Sequence, residues 1–420
     1  MRQSGIAIVL LFVLMSTQLL GQASEQRLTA KQAVSMDYFA TVSTLILYDD
    51  FTDPKRRIAF EETWEEVKRL LEEIENQVSL SVFDSDLSVF NALEPGQRMS
   101  IREHTANITA ISKEMWEESQ GLYDPSVFPL VDLWGFSPRF HGHSWKPTQP
   151  YDRDFKDGKT PPPDEANIQS LKALVDFGRI KLSSQGQKHY LTKEMPNIVI
   201  NGTAIKAQID YGGIAKGYAA DRVIDLLRSK GYQYGYFICG DSSISVMRHP
   251  ENGGFELGIG SPRGGHKPFM YTSFESAALS SSGDYNDFYT VDGVIYCHLI
   301  NPLSGFPINM PEENQLQSGI ATVTLLGQNA AKNDALSTML CVMGFEAALD
   351  YANRNFKDQP YVFVLFQQGR NTYEVVTNLR PDQYRMVDSH FVPRSTLDAQ
   401  GKVTYTGDLF AQGEDSAVMP

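Results

Sequence analysis

Between residues 59 and 79, Phe60, Trp64, Val67, Leu71, Ile74 and Val78 recur at intervals of four, three, four, three and four, with charged residues between them. That period predicts an amphipathic helix with one apolar stripe packed on a core. Two more helices are predicted. One runs through residues 102–120 and ends at Gly121; the other spans 213–231, with Ala219, Val223, Leu226 and Leu227 on one face and Gly231 as its stop. Elsewhere the pattern shortens. Residues 40–50 (ATVSTLILYDD) are β-branched and partly alternating, and YGYFICG, FELGIG, GVIYCHLI and YVFVLFQ read as further strands, with Asp292-Gly293 as a hairpin signal. Strands and helices mix without a regular βαβ alternation or an internal repeat. The predicted fold is therefore α+β, with helices packed on mixed, largely antiparallel sheets.

One predicted helix breaks its own pattern. NDALSTML (333–340), followed by Val342 and Met343, reads as buried, yet it contains Asp334. A carboxylate removed from water is costly unless it is paired, hydrogen-bonded or bound to a metal.

The chain's ends and one internal stretch fall outside these patterns. Arg2, the apolar run Ile6 to Met15 and the small residues up to Ala23 form a secretory signal pattern, so 1–23 reads as a cleaved signal peptide. The apolar run is shorter than the roughly 20 residues of a spanning helix, and no Cys follows it as a lipid attachment point. Residues 24–390 read as a single domain, 138–167 as a Pro-, Gly- and charge-rich surface excursion, and 391–420 as a polar, loosely attached tail. The chain's 420 residues carry 37 Lys and Arg against 51 Asp and Glu, a net charge of −14, which excludes a basic nucleic-acid binder. Any anionic ligand must then be held by local dipoles or a cation. Of the three cysteines, Cys239, Cys297 and Cys341, each lies in an apolar stretch and reads as a small buried hydrophobe.

Against this background several short stretches can carry chemistry. Asp334 and Thr338, four apart on a helix, project from one face and offer two oxygen ligands for a hard cation such as Mg²⁺, or an internal hydrogen bond. In AQIDYGGIAKGYAADR (207–222), Asp210 leads into Gly212-Gly213 and a helix start, with Lys216 in its first turn. This is either a plain strand-to-helix turn or a phosphate cradle. His298, at a strand end before Asn301-Pro302, can transfer a proton, contact a phosphate or serve as a structural hydrogen bonder, and strand alternation places Cys297 on the opposite face. Ser281, Ser282 and Gly283 offer hydroxyls and open backbone to an anion or a ribose, or simply a turn.

Taken in order, these stretches resemble the FAD:protein FMN transferase (ApbE-like) family. DYGGIAKGYAAD (210–221) is similar to that family's DLGGIAKGYAxD. SSGDYNDFYTVDGVIYCHLINPLSGFP (281–307) matches its TSGdYeryf…dGxxYxHIIDPxTGxP, and NDALST (333–338) its ADALaT. SVFDSDLSVFN (81–91) and GLYDPSVFPLVDLWGF (121–136) supply two upstream motifs. Five motifs in the right order cover most of the chain from about Phe39 to Arg354.

The resemblance implies an exported, Mg²⁺-dependent enzyme of the periplasm or another extracytoplasmic space, free or membrane-associated. It would bind FAD and transfer FMN through a phosphoester bond to a Thr or Ser of an acceptor flavoprotein bearing a flavinylation motif, releasing AMP. It also implies that Asp334, Thr338 and the Gly213 carbonyl hold the metal, and that His298 is catalytic. Phe39, Phe83, Leu122, Tyr123, Asp124, Asp210, Lys216, Ser282, Gly283 and Ile300 would contact the flavin nucleotide. Hydrolysis of FAD to FMN and AMP, and flavin binding without chemistry, remain as alternatives. Phe39, Phe83, Ser281, Asn301 and Asn333 depart from the family pattern, and CGDSSIS (239–245) replaces its usual GGD or GGN stretch.

Overall fold

The computed structural model describes residues 28–407, apart from 138–161, 241, 252–253, 263–266, 275–276, 286, 292–293, 309–318 and 367–371. The signal-peptide reading of 1–23 and the Asp292-Gly293 turn lie outside the described residues. The main sheet is built from β1 (Thr29–Tyr38), β2 (Thr41–Asp49), β3 (Gly235–Cys239), β4 (Ser243–Val246), β5 (Ala278–Gly283), β6 (Gly319–Gly327), β7 (Tyr361–Phe366), β8 (Tyr373–Thr377) and β9 (Phe391–Pro393), which lie side by side in chain order. Every neighbouring pair is antiparallel except β8 and β9, in keeping with the α+β expectation.

The described helices are α1 (Pro54–Val78), α2 (Asp86–Ala92), α3 (Glu103–Glu118), α4 (Phe128–Trp134), α5 (Glu165–Lys172), α6 (Ala215–Ser229), α7 (Ala330–Met343) and α8 (Phe345–Asn355). In α1 the six residues of the predicted stripe are all buried. The helix begins earlier than its apolar period, because the Asp53 side chain accepts the Lys55 N–H and Pro54 suits the first turn.

Helices α6 and α7 cover one face of the main sheet, with α1 packed beside them. The other face packs on a three-stranded sheet of Phe255–Gly260, Pro268–Phe274 and Tyr384–Met386. Ile244, Val246, Leu279 and Leu326 meet Phe255 and Leu257 there. Strand alternation then settles what the helices see. With Ile244 and Val246 turned to the small sheet, Ser243 and Ser245 face the helices; with Leu279 turned away, Ser280 and Ser282 do the same. Strands β4 and β5 thus present serines beneath α6 and α7, flanked by the apolar Phe237 of β3 and Val323 and Leu325 of β6.

Three expectations need correction. The excursion ends before residue 167: α5 begins at Glu165 and buries Ile168 and Leu171 completely; residues 138–161 lie outside the described residues. The chain also does not leave the fold at residue 390. Phe391 is buried in β9, and a hairpin of Ser395–Leu397 with Val403–Tyr405 follows. Asn353 brackets Val403, donating to its carbonyl at 2.9 Å and accepting its N–H at 2.8 Å. The apolar stretch at Phe391 and Val392 is only two residues long and Val403 stands between polar residues, too sparse to form a period. Finally, the strand predicted through Ile300 stops at Cys297, and Tyr296 and Cys297 are both buried, so alternation does not separate an inner from an outer face there.

Candidate active site

The site forms where the N-termini of α6 and α7 meet over the serine face. Asn91 brackets Ile209, its amide donating to the Ile209 carbonyl at 2.9 Å and accepting the Ile209 N–H at 2.8 Å. The next residue, Asp210, donates its N–H to the Pro125 carbonyl at 2.9 Å and accepts the Gly212 N–H at 3.1 Å. Gly213 then lies against α7: a Cβ there would come within 3.6 Å of Thr338 Oγ1 and 3.5 Å of the Tyr123 ring. Lys216 follows in the first turn of α6. Its stem runs past Gly240, where an added Cβ would sit 3.3 Å from Lys216 Cδ and 2.9 Å from Thr41 Oγ1.

Asp334 lies beneath this turn, 4% exposed. Its carboxylate accepts the Gly217 N–H at 3.0 Å, and the Ser243 hydroxyl also bonds it. Burial raises its pKa, while the Lys216 charge and these two donors oppose the rise. Thr338, one turn on and half-buried, donates to the Asp334 main-chain carbonyl at 3.2 Å and lies 3.0 Å from Ser282 Oγ, which also meets Ser337 Oγ at 2.7 Å. Gly283 ends β5 with no room for a side chain, since a Cβ would come within 2.6 Å of the Ala321 carbonyl.

These residues suit a hard cation. A buried carboxylate, a half-buried hydroxyl and the open backbone at Gly213 are all oxygen donors, of the kind Mg²⁺ takes while keeping water and substrate phosphate. Among the described residues no group of three or more His, Cys, Asp or Glu side chains is gathered for a metal, and a site with one carboxylate needs none.

His298 approaches from another direction. It follows a hairpin of Phe288–Val291 and Val294–Cys297. Its N–H donates to the Asp287 carbonyl at 3.0 Å, and its Nδ1 lies 3.2 Å from that same oxygen. A carbonyl only accepts, so Nδ1 carries the proton and Nε2 is the basic nitrogen. Burial holds the imidazole below its ordinary value; the charges of Asp287 and Asp284 pull it up and that of Lys216 pushes it further down. Asn301, which departs from the family's Asp, works without charge: its side-chain oxygen accepts the Leu303 and Ser304 N–H groups at 2.9 and 3.2 Å and shapes the turn after the histidine.

The other predicted contacts are placed less uniformly. Tyr123 is buried beside Gly213, and burial drives its hydroxyl well above the usual value. Asp124 takes four donors inside its own neighbourhood: the Ser126 N–H and hydroxyl, the Trp116 indole and the Phe177 N–H. Its side chain therefore organises the loop after Leu122, a partly buried residue packed on the core. Phe39 sits in the β1–β2 turn with its N–H bonded to Glu75 at 2.9 Å. Ile300 is 5% exposed, in a bridge to Pro307. Phe83, 86% exposed, stands outside the packed cluster. All three cysteines are buried, and no disulfide joins any two of them.

Sequence reasoning missed Ser243, Ser245, Ser280, Gly217 and Asp221. The serines could have been found by asking what lies on the second face of each short strand. Gly217 admits α7 closely, since a Cβ would fall 2.2 Å from the Ala330 carbonyl.

The sequence matches the family described as the ApbE family over residues 36–363. It is 26% identical over 298 residues to an FAD:protein FMN transferase of Haemophilus influenzae, spanning 70% of this chain and 76% of that protein. It is 27% identical over 292 residues to one of Vibrio cholerae, spanning 69% and 76%. The fold is similar to the apo crystal structure of the Pseudomonas stutzeri flavinyl transferase ApbE, with a TM-score of 0.61 and 26% identity over 81% of this chain and 92% of that one. It is also similar to the flavin transferase ApbE from Vibrio cholerae, with a TM-score of 0.62 and 24% identity over 83% and 97%.

Proposed function

Because this chain belongs to the ApbE family, we propose that it is an exported, Mg²⁺-dependent FAD:protein FMN transferase that attaches FMN from FAD to a Thr or Ser of an acceptor protein and releases AMP. One observation carries the reading: buried Asp334 lies under the glycine-rich N-terminus of α6, within the field of Lys216 and one turn from Thr338, which itself lies against Gly213. Phosphoryl-type transfer asks mainly for positioning and charge neutralisation. Asp334, Thr338 Oγ1 and the Gly213 carbonyl would hold the cation, which when bound would neutralise charge on the pyrophosphate.

The chain's own residues do the rest. Lys216 and the α6 N-terminus attract the phosphates in a protein whose net charge is −14. Asp210, Tyr123 and Ser282 border the space where a nucleotide would lie. His298 Nε2 takes the proton of the acceptor hydroxyl as its oxygen bonds the FMN phosphorus and the bond to AMP breaks. Export rests on the signal pattern of residues 1–23, and appearance of the mature chain in a periplasmic or culture fraction with Ala23 removed tests it.

The test of the activity is intact-mass spectrometry of an acceptor domain incubated with the mature protein, FAD and Mg²⁺. We expect a mass gain of one FMN, abolished by EDTA and reduced on the order of a thousandfold or more in Asp334→Ala, since several kcal/mol of transition-state charge stabilisation is removed. Full activity in that variant would defeat the reading. Mg²⁺-dependent AMP release without an adduct on any acceptor would instead assign FAD hydrolysis.

A further inference from the structure

Asp221 lies outside the cluster that would touch FAD or a cation, yet its carboxylate is tied to α7 more completely than any other side chain of α6. Its Oδ1 accepts the Ala330 N–H at 3.0 Å and the Ser245 hydroxyl at 3.1 Å, and its Oδ2 accepts the Ala331 N–H at 3.0 Å. Ala330 and Ala331 are the first two residues of α7, whose N–H groups have no partner inside their own helix. Asn329, the helix's own cap, satisfies a different one, the Lys332 N–H, at 2.8 Å.

The arrangement is reciprocal. The helices touch at Gly217 and Ala330. Side chains on a helix lean toward its N-terminus, so the residue one turn beyond a contact reaches back to its level. Asp221 is one turn beyond Gly217 and Asp334 one turn beyond Ala330. Each therefore reaches the N-terminal turn of the opposite helix: Asp221 binds Ala330 and Ala331, and Asp334 binds Gly217. The capping of α7 by Asp221 sets both the rotation of α7 about its axis and its advance toward α6, the two coordinates that place Asp334 and Thr338 relative to Gly213.

We propose that Asp221 is a positioning residue for the cation-holding pair Asp334 and Thr338, acting by fixing α7 against α6. The inference rests on the proposed cation role of that pair. An outer carboxylate that orients a metal ligand typically contributes 10- to 100-fold in metal affinity, whereas a cap that only closes its own helix contributes to stability alone.

Asn329 makes the distinction measurable, because it caps the same helix end without tying it to α6. The probe is Mn²⁺, titrated into the FAD-free full-length protein and read from the free-ion EPR signal, with thermal unfolding measured in parallel. Asp221→Asn keeps the shape but turns an amide N–H toward helix N–H groups. It should weaken Mn²⁺ binding about tenfold or more, while Asn329→Ala lowers Tm comparably and leaves Mn²⁺ binding within about twofold. Ser245→Ala, which removes only the hydroxyl orienting Asp221, is the milder second variant and should weaken binding in the same direction. Should D221N fail to fold, S245A with unchanged binding overturns the proposal. So does unchanged binding in a folded D221N, or equal weakening by N329A. An Asp334→Asn protein that binds Mn²⁺ like the wild type would overturn the cation reading itself and this inference with it; weak binding in D334N beside normal binding in D221N removes only the role of Asp221.

Discussion

The two sides of the site are held by opposite means. Asp334 and Thr338 stand on a long buried helix, fixed by directional bonds to Gly217 and the serines of β4 and β5. His298 follows a short two-stranded hairpin fixed mainly by rings. Phe136 stacks on Tyr289 with centroids 5.4 Å apart, Tyr289 on Tyr296 at 5.3 Å, and Tyr296 on Trp134 at 5.6 Å. Hydrogen bonds fix angles, which oxygen ligands to a small cation require. Stacked rings hold area and distance while tolerating some sliding. The cation side is thus built for orientation, and the histidine side for attachment of an element that must meet a variable protein substrate.

The comparison breaks most easily at Trp134. It is fully buried, closes the ring ladder, and donates its indole N–H to the Gly305 carbonyl at 2.8 Å, tying the LWGF stretch to the turn after the histidine. Trp134→Ala should cost about 3–5 kcal/mol of stability. Trp134→Phe, which keeps a ring but leaves the Gly305 carbonyl unpaired, should cost about 1–3 kcal/mol. Denaturant unfolding checks both. If the ladder serves attachment only, Mn²⁺ binding by W134F stays at the wild-type level; a large loss would show the two sides to be one unit.

Gly217→Ala is the counterpart on the polar side. The added methyl would meet the Ala330 carbonyl at 2.2 Å, a backbone atom that moves only if α7 moves. Overpacking of this kind costs about 1–3 kcal/mol, less than W134A, but FMN transfer should fall far more in G217A than in W134F. Equal activity losses at equal stability losses would erase the distinction.

The same contrast explains what the sequence made legible. Helices α1 and α6 stand out because each buries one stripe, and a single stripe leaves a period; α7, buried on nearly all sides, stands out as an apolar run. Asp334 stood out as a charge inside an apolar run. The serine face did not, because Ser-Gly-Asp clusters ordinarily mark turns, and Ser243, Ser245, Ser280 and Ser282 acquire meaning only when the strands are laid side by side. The role of Asp221 was hidden for a related reason, although the family motif ends on it: a charged residue on a helix ordinarily faces water, and its partners on α7 lie more than a hundred residues away. Family motifs located Asp210, Gly213, Lys216 and His298, but not that Asp124 is engaged by Ser126 and by Trp116 of α3 or that Phe83 is exposed.

The histidine side should also reveal itself through pH. Burial holds the folded-state value of His298 below its ordinary 6.5. Between that lowered value and 6.5 the unfolded chain binds more protons than the folded one, so this group's contribution to stability rises with pH through the window and is lost as pH falls through it. Transfer should lose activity in the same direction, by up to about tenfold per pH unit below the lowered value, as Nε2 becomes protonated. A pH profile of kcat/KM checks this. His298→Gln should remove the acid limb, and its persistence in that variant would move proton transfer to another group.

The smallest effect is expected where the polar side meets a loop. Phe39 and Ala40 form the two-residue turn between β1 and β2, with φ of 53° and 49°, and Thr41 of that hairpin adjoins Gly240 beside the Lys216 stem. Both turn positions are left-handed, where glycine or asparagine is ordinarily found and a Cβ is strained. The Phe39 N–H is held by Glu75 across the turn, so the conformation is imposed by its surroundings. Ala40→Gly should relieve the Cβ strain at some expense in unfolded-chain entropy, for a net gain of about 0.5–1 kcal/mol in thermal or denaturant unfolding. If the turn only supports Phe39 rigidly, KM for FAD is unchanged in A40G while stability rises. A higher KM beside higher stability would show that the strained turn positions Phe39 toward the nucleotide, and that this loop shares the orienting task of the helices beneath it.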